Sequence, residues 1–119
     1  MKISSILLKH PIIYRIFVRV LQRFPRVISK RILIDTPNLL AFFHPKPSHA
    51  CHIVLVPKSA IRSITDGDAG DPFFYELINS VKQIVNDYDL PAYRLVVNGG
   101  AYQEFPHLHF HLISDTRKE

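Results

Sequence analysis

The residues best suited to chemistry lie near the C-terminus, in the segment HLHFHLIS, residues 107–114. His107, His109 and His111 alternate there with two leucines and a phenylalanine. Residues two apart on a β-strand face the same side, so the pattern predicts three imidazoles on one face and an apolar face directed into the core. Because histidine titrates near neutral pH, such a row could supply a nucleophile, proton donors or metal ligands.

The spacing of the three histidines distinguishes a metal site from a nucleophilic one. A strand rises about 3.3 Å per residue, so His107 and His111 would lie roughly 13 Å apart along it. Zinc–nitrogen bonds are about 2 Å long, so one metal ion could take two neighbouring histidines and would need further ligands such as His52 or Glu104. A row of three instead suits a middle ring that attacks while its neighbours orient it and handle protons. A metal site, and three histidines on a half-exposed strand without chemistry, stay as alternatives.

Several strands are predicted to position this row. Two short strands, residues 32–34 and 39–43, are separated by the turn-forming segment DTPN, which is typical of a hairpin. A third strand, residues 52–56, stops at Pro57 and follows an irregular loop over residues 44–51. The last two strands, residues 93–97 and 107–114, are separated by a turn that begins at residues 98–100.

One long helix lies between the third and fourth strands. Asp71 suits the N-cap and Pro72 the first helical position, and the pattern predicts a helix through about Tyr88. Its predicted buried residues are Phe74, Leu77, Ile78, Val81, Ile84 and Val85. The order of elements predicts an α+β domain: an antiparallel sheet with one long packed helix, preceded by a basic amphipathic N-terminal helix.

Composition limits the size and the compartment of the protein. With 119 residues, of which 47% are hydrophobic, the chain can close one core and leaves no room for a second domain of usual size. Its single cysteine, Cys51, excludes an internal disulfide and a zinc site built from cysteine pairs. We therefore expect a reducing compartment, the cytoplasm, with a peripheral position at a membrane or an organelle such as the mitochondrial matrix as alternatives.

Charge divides the chain into two parts. Residues 1–34 contain eight Lys or Arg and no acid, whereas residues 35–119 contain seven basic and ten acidic residues. The net charge of +5 is therefore carried by an N-terminal arm. We expect this arm to cover residues 1–31 and the remaining domain to cover residues 32–119.

The middle of the arm is predicted to be a helix that begins near Pro11 and stops or kinks at Pro25. Arg15, Arg19 and Arg23 lie four residues apart on one face, away from a set of apolar residues at helical spacing. These apolar residues are Ile13, Ile16, Phe17, Val20, Leu21 and Phe24. Three interpretations stay open: a helix packed on the domain, a surface for anionic lipid or an acidic protein, and a targeting segment like a mitochondrial presequence. Because basic residues interrupt the apolar runs, we expect no membrane-spanning helix.

Separated motifs resemble the histidine triad (HIT) family of nucleotide hydrolases and transferases. HLHFHLI fits the family signature His-x-His-x-His-x-x with apolar x. Residues 40–61, LAFFHPKPSHACHIVLVPKSAI, resemble an earlier family segment: a strand, a proline-containing loop, a histidine and an apolar run that ends in Pro-Lys. LVVNGG, residues 95–100, resembles the strand and turn before the triad. The resemblance spans about residues 33–114.

The resemblance implies a role for each histidine of the row. HIT proteins bind a nucleoside phosphate, typically a purine nucleotide that carries a leaving group, and form a nucleotidyl-histidine intermediate that water hydrolyses. His109 would be the nucleophile, and His111 would contact the phosphate and assist proton transfer. His107 and His52 would form the hydrogen-bonded support that sets the ring orientation.

The resemblance also implies polar contacts and an assembly. Asn98 and Gln103 fall where the family places contacts to the phosphate or the leaving group. The implied mechanism requires no metal or other cofactor, which agrees with the spacing argument. Many members are homodimers, so a homodimer is implied for this chain by resemblance alone.

Two residues depart from the family pattern where substrate is recognised. His44 stands where many members have an acidic residue that holds the ribose hydroxyls. Glu104 ends the segment Tyr102-Gln103-Glu104, where the family has glycine, glutamine and serine or threonine. A carboxylate there would repel a phosphate unless it were protonated or paired, or it could donate a proton to the leaving group if burial raised its pKa. We also expect the longer C-terminal segment of the family to be missing.

These observations support two functions. The first is a HIT-type hydrolase or transferase that cleaves a nucleoside monophosphate conjugate, such as a phosphoramidate, through His109. The second is a non-catalytic HIT-like subunit or adaptor, which the basic helix attaches to a membrane surface or a larger complex. Nucleic acid is not an expected partner, because the domain is acidic and carries no recognised nucleic-acid motif.

Overall fold

A computed structural model describes residues 5–116 of the chain. Three short or medium helices come first: α1 (Ser5–Leu8), α2 (Pro11–Arg23) and α3 (Pro25–Ile28). Strands β1 (Ile32–Asp35), β2 (Leu39–Phe43) and β3 (Cys51–Pro57) follow, and then the long helix α4 (Pro72–Asp87). Strands β4 (Arg94–Val97) and β5 (Phe110–Ser114) complete the fold, with single 3₁₀ turns at Ile64–Asp66 and Gly100–Tyr102.

The five strands form one antiparallel sheet in the order β1-β2-β3-β5-β4. The predicted hairpin is confirmed, since β1 and β2 pair directly and Asp35 lies opposite Leu40. β3 is the central strand, and it pairs with β2 on one side and with β5 on the other. This order brings the loop before β3 next to the histidine strand β5, although they are far apart in sequence.

Helix α4 covers one face of the sheet. Alternate residues of the strands point to it, including Ile53 and Leu55 of β3 and the three apolar residues that alternate with the histidines, Leu108, Phe110 and Leu112. Asp71 caps the helix as predicted, because its Oδ1 accepts a hydrogen bond from the Phe73 amide at 2.9 Å. The apolar face of the row therefore lies in the core, as the alternation predicts.

Helix α2 of the arm covers the opposite face of the sheet. Tyr14, Phe17, Val18 and Leu21 are buried there against a second apolar cluster built on β2 and β3. Because helices cover both faces, every residue of β3 is buried. The arm thus packs on the same face of the sheet as the histidines, and the interpretation of a helix packed on the domain is confirmed for its inner side.

Three predicted details are wrong. Ile16 and Phe24 of the arm, predicted as part of the apolar face, are 58% and 61% exposed, because the buried face is centred on Tyr14, Phe17 and Leu21. Ile78 of α4 is 59% exposed. The last strand begins only at residue 110, since the Leu108 amide bonds to the Ile61 carbonyl at 2.9 Å and not to a neighbouring strand.

A carboxylate links α4 to the turn between β1 and β2. Glu76 accepts hydrogen bonds from the Thr36 hydroxyl, from the Asn38 amide at 3.0 Å and from the Asn38 side chain at 2.5 Å. Burial opposes the charged form, but these donors together with Lys58 outweigh it and hold the pKa of Glu76 below its usual range. The link fixes the hairpin against the helix that packs beneath the histidine strand.

Glu76→Gln should lower the free energy of unfolding by about 1 kcal/mol at pH 7, a value reduced for the partial exposure of the site. The substituted amide keeps one acceptor but turns an N–H group towards the Asn38 side-chain amide, which is itself a donor. Denaturant unfolding measures the change, with the exposed Glu104→Gln as control. Equal losses in the two variants would contradict the role of this carboxylate.

Candidate active site

The histidine row forms one wall of a cavity of about 280 Å³ between α2 and the sheet. His107, His109 and His111 all line it, so the three side chains share a face as predicted. The remaining lining is almost entirely apolar and comes from the arm, the central strands and the segment before the row. These residues are Phe17, Leu21, Ile28, Phe42, Pro45, Val54, Val56 and Phe105, together with His44. A cavity with apolar walls and a group of convergent polar atoms is the usual form of a small-molecule site.

A backbone carbonyl fixes the middle ring. His109 Nδ1 lies 2.7 Å from the carbonyl oxygen of His107, and because a carbonyl only accepts, Nδ1 must carry the proton. The neutral ring therefore has its lone pair on Nε2. His109 is half-buried and lines the cavity, which makes Nε2 an available nucleophile.

His107 is locked on both sides of its ring. It is 1% exposed, and its Nε2 lies 2.9 Å from the Pro57 carbonyl, which requires the proton on Nε2. Its Nδ1 therefore accepts a hydrogen bond from the Tyr14 hydroxyl at 2.7 Å. Burial raises the pKa of Tyr14 to about 12, while Arg62 lowers it slightly and Asp66 raises it slightly. This hydroxyl therefore keeps its proton at neutral pH. The residue whose carbonyl holds the nucleophile is thus itself held by two elements, α2 and β3.

His52 and His111 form a second fixed pair. His52 Nδ1 accepts a hydrogen bond from the Ser48 amide at 3.2 Å, so its proton is on Nε2. His52 Nε2 lies 2.9 Å from His111 Nδ1 and donates to it, which leaves the His111 proton on Nε2. The last histidine of the row therefore presents an N–H group next to the lone pair of His109, whose ring centre is 5.1 Å from its own.

The electrostatics of the cluster keep these rings neutral. Burial and, to a smaller extent, the neighbouring His109, His52 and His44 together lower the pKa of His111 to about 4. Burial also lowers the pKa of His52 to about 4, with contributions from His44 and His49. The pKa of His107 falls to about 4, mainly through burial, which the bond to Pro57 only partly opposes. At neutral pH His107, His52 and His111 are therefore neutral rings with fixed tautomers.

His44 joins this cluster from the end of β2. Its ring stacks on His52 with centres 4.3 Å apart, and its pKa is lowered by burial and by His109. Nitrogen atoms of His44, His52 and His111 lie within 4.8 Å of one another, a spacing that could hold a metal ion. The tautomers oppose this use, because the His44 and His52 Nδ1 atoms accept backbone amides, which puts a proton on each Nε2. The hydrogen-bonding pattern therefore suits proton transfer better than metal ligation.

Three other predicted site residues, Asn98, Gln103 and Glu104, are not among the residues that line the cavity. Asn98 follows the last residue of β4, Val97, which pairs with the first residue of β5, Phe110. The amide nitrogen of Gln103 donates to the Arg62 carbonyl at 2.7 Å and to the Phe105 carbonyl at 3.0 Å, which leaves only its oxygen for a substrate. Glu104 is exposed, so the burial that would make it a proton donor is absent.

Three partners of the row were not found from the sequence. Tyr14 lies 93 residues before His107, and it occurs in the arm as one residue among many apolar neighbours. The carbonyls of Pro57 and His107 carry no side-chain signal at all. The only indication in the sequence was the helical spacing of Tyr14 with Phe17, Val18 and Leu21, which predicts that the hydroxyl faces inwards.

Stability should fall in acid because His107 is buried as a neutral ring. The unfolded chain binds a proton near pH 6.5, whereas the folded chain resists it until about pH 4, so stability is lost as pH falls through this window. The contribution of His107 is about 3 kcal/mol. His107→Gln, whose amide can serve the same two partners without titrating, should flatten the curve of unfolding free energy against pH between 7 and 4. The exposed His10→Asn should retain the wild-type slope, and equal slopes in all three proteins would contradict the assignment.

Comparison with known proteins agrees with this geometry. The HIT domain model matches residues 25–118. A HIT-like protein of 13.2 kDa from Azospirillum brasilense is 31% identical over 86% of this chain and 86% of its own length. The adenosine 5'-monophosphoramidase HNT1 of Saccharomyces cerevisiae is 30% identical over 76% of this chain and 60% of its own length.

Solved structures share the fold. A HIT family hydrolase from Legionella pneumophila superposes with a TM-score of 0.69 at 24% identity, covering 80% of this chain and 90% of that one. A histidine triad protein from Clostridium difficile superposes with a TM-score of 0.68 at 25% identity, covering 82% and 87%. With the row of histidines, the paired tautomers and the antiparallel sheet in place, the chain belongs to the HIT domain family.

Proposed function

We propose that this HIT family protein cleaves a nucleoside monophosphate conjugate, such as a phosphoramidate, through a nucleotide bound covalently to His109. The observation that carries the proposal is the 2.7 Å bond from His109 Nδ1 to the His107 carbonyl, which directs the lone pair of Nε2 into the cavity. The similarity to an adenosine 5'-monophosphoramidase supports this class of substrate.

The first step forms a bond between His109 Nε2 and phosphorus and breaks the bond from phosphorus to the leaving group. Attack leaves His109 with a positive charge, which the His107 carbonyl stabilises through Nδ1–H. The leaving atom takes a proton from His111 Nε2. Binding of the phosphate anion raises the pKa of His111, because a nearby negative charge favours the protonated ring. The ring then takes up from solvent the proton that it gives to the leaving atom.

Proton uptake by His111 has a path through His52. A proton on His111 Nδ1 requires His52 Nε2 to become an acceptor, which moves the His52 proton to Nδ1. The Ser48 hydroxyl lies 3.4 Å from that atom and can then accept from it. In the second step water attacks phosphorus, the bond from phosphorus to His109 Nε2 breaks, and water gives a proton to His111. His111 loses this proton to solvent when the nucleotide leaves, so both rings regain their starting states.

The cavity suits a flat, largely apolar base beside the reacting phosphate. Phe17, Phe42 and Phe105 line it together with aliphatic side chains, so a purine can stack and bury its rings there. His44 occupies the position of the usual ribose carboxylate and offers Nε2–H, a donor where that carboxylate would accept. A purine nucleoside phosphate is therefore the proposed substrate class, with ribose contacts that differ from those of other members.

Incubation with adenosine phosphoramidate should release AMP, and brief exposure followed by mass spectrometry should find one nucleotidyl group on His109. His109→Ala should lower kcat/KM by on the order of a thousandfold or more, since it removes the nucleophile. His10→Asn, at an exposed histidine far from the cavity, should retain activity. Turnover of several nucleoside phosphoramidates that does not exceed that of His109→Ala would exclude the proposal.

A homodimer is a further part of the proposal, taken from the family resemblance. β4 is an edge strand, its Leu95 is 41% exposed and the preceding Tyr93 is 50% exposed, so an edge is available for pairing with a second copy. The second candidate function, a non-catalytic adaptor attached through the arm, is favoured by His44, by Glu104 and by the charge of the arm. The fixed tautomers of the row favour catalysis over it, because a purely structural site has no need to direct a lone pair into a cavity.

A further inference from the structure

The outer side of the arm is unlike the rest of the protein surface. Six large apolar side chains are exposed on α1, α2 and α3, from 44% for Val27 to 75% for Ile6; the others are Leu7, Ile12, Ile16 and Phe24. Exposed basic residues stand among them at positions 9, 15, 19, 23, 26, 30 and 31. Residues 1–34 contain no acid, so nothing in the arm neutralises this charge.

Helical geometry places the two kinds of residue side by side. At 3.6 residues per turn, the buried residues Tyr14, Phe17 and Leu21 define the inner side of α2. Ile12 and Ile16 lie one turn apart on the outer side, and the arginines of the helix run beside them. The only ion pair among residues 5–116 joins Lys58 to Asp35, so no carboxylate there pairs with these arginines. The surface combines an apolar strip with a parallel basic strip.

We infer that this outer side of the arm binds an anionic membrane surface. Charge complementarity carries the choice, because a bilayer with acidic headgroups attracts basic residues while the exposed isoleucines enter its interfacial layer. Long arginine side chains can extend their charged ends to the headgroups while their aliphatic parts remain near the apolar strip. No helix among residues 5–116 is long and apolar enough to span a bilayer, so the arm would lie on the surface.

A second copy of this chain fits the same surface poorly. A twofold interface would bring two arms of like charge against each other, which is unfavourable at short distance. A depression of about 580 Å³ lies next to the arginines, where Arg15, Arg19 and Arg62 are among the lining residues and no acid is. Arg62 is already bonded to the Leu8 and Pro106 carbonyls, which leaves Arg15 and Arg19 to meet a headgroup phosphate.

Co-sedimentation of the full chain with vesicles tests the inference. The protein should bind vesicles of phosphatidylcholine with 30% phosphatidylserine at low salt, and binding should weaken at high salt and without the acidic lipid. Replacing Arg15, Arg19 and Arg23 by Gln should weaken binding roughly fivefold per arginine, about a hundredfold in total. Ile12→Asn with Ile16→Asn should also abolish most of it.

The control replaces matching residues on α4. Ile78→Asn with Lys82→Gln changes an isoleucine of similar exposure and one exposed basic residue, and it should leave vesicle binding unchanged. No binding to acidic vesicles, or equal loss in the arm and control variants, would overturn the inference. A change in oligomeric state in the isoleucine variant without vesicle binding would overturn it in favour of self-association. This test needs no substrate and is independent of hydrolysis.

A separate observation concerns the inner side of the same helix. The Tyr14 hydroxyl donates to His107 Nδ1, and the Arg62 guanidinium carbon lies 3.8 Å from the centre of the Tyr14 ring while Arg62 also bonds to the carbonyl that precedes His107. We propose that Tyr14 is a positioning residue for His109, acting through the ring and the carbonyl of His107. This second proposal rests on the proposed hydrolase for its kinetic consequence alone.

Tyr14→Phe tests this role because it removes only the hydroxyl. Without its donor, His107 Nδ1 can take up the ring proton, and the bond to the Pro57 carbonyl is lost in that tautomer. Imidazole nitrogen NMR should show His107 protonated on Nε2 in the wild type and a mixture of tautomers in the variant. We expect kcat to fall about tenfold while KM changes less than twofold, since the substrate does not touch Tyr14.

Tyr75→Phe, an exposed tyrosine on α4, is the matched control and should change neither measurement. An unchanged tautomer pattern in Tyr14→Phe would overturn the proposal. So would a decrease in kcat that disappears at a temperature where both proteins are fully folded, because the role would then be stability alone. The NMR result does not depend on turnover, so failure of the hydrolase proposal remains distinguishable from failure of this one.

Discussion

A single backbone carbonyl, that of His107, fixes the tautomer on which the site depends. It holds the proton of His109 on Nδ1 and so places the lone pair of Nε2 in the cavity. The carbonyl can hold this tautomer only if His107 itself does not move. Two hydrogen bonds and almost complete burial fix the His107 ring. The packing of α2 on one face of the sheet and of α4 on the other serves this requirement.

Burial and hydrogen bonding fix different properties of His44 and His52. Each ring accepts a backbone amide on Nδ1 and so carries its proton on Nε2, and burial lowers the pKa of both rings. In the proposed reaction, the negative charge of a substrate phosphate raises the pKa of His111, and the ring takes up the proton that the leaving group needs.

The arm contributes both to the cavity and to the basic outer surface of the protein. The sequence predicted an arm, residues 1–31, distinct from the domain, and that division stays a prediction. The structure nevertheless builds the inner side of α2 into the cavity through Phe17 and Leu21 and leaves its outer side basic and apolar. The outer surface of α2 and His107 lie on opposite sides of this one helix, so they are separated by about one helix diameter.

The sequence by itself determined most of the elements of this protein and the residues whose chemistry is proposed. Alternation with period two separated histidines from core residues, turn residues marked the hairpin, and the spacing of the row disfavoured a single metal held by all three histidines. It could not determine which side of α2 is buried, because a helix with apolar residues on more than one side is oriented by its partner. Tertiary structure decided this by supplying His107 as the partner of Tyr14, and it decided the tautomers by bringing backbone carbonyls and amides, which carry no sequence signal, to each ring.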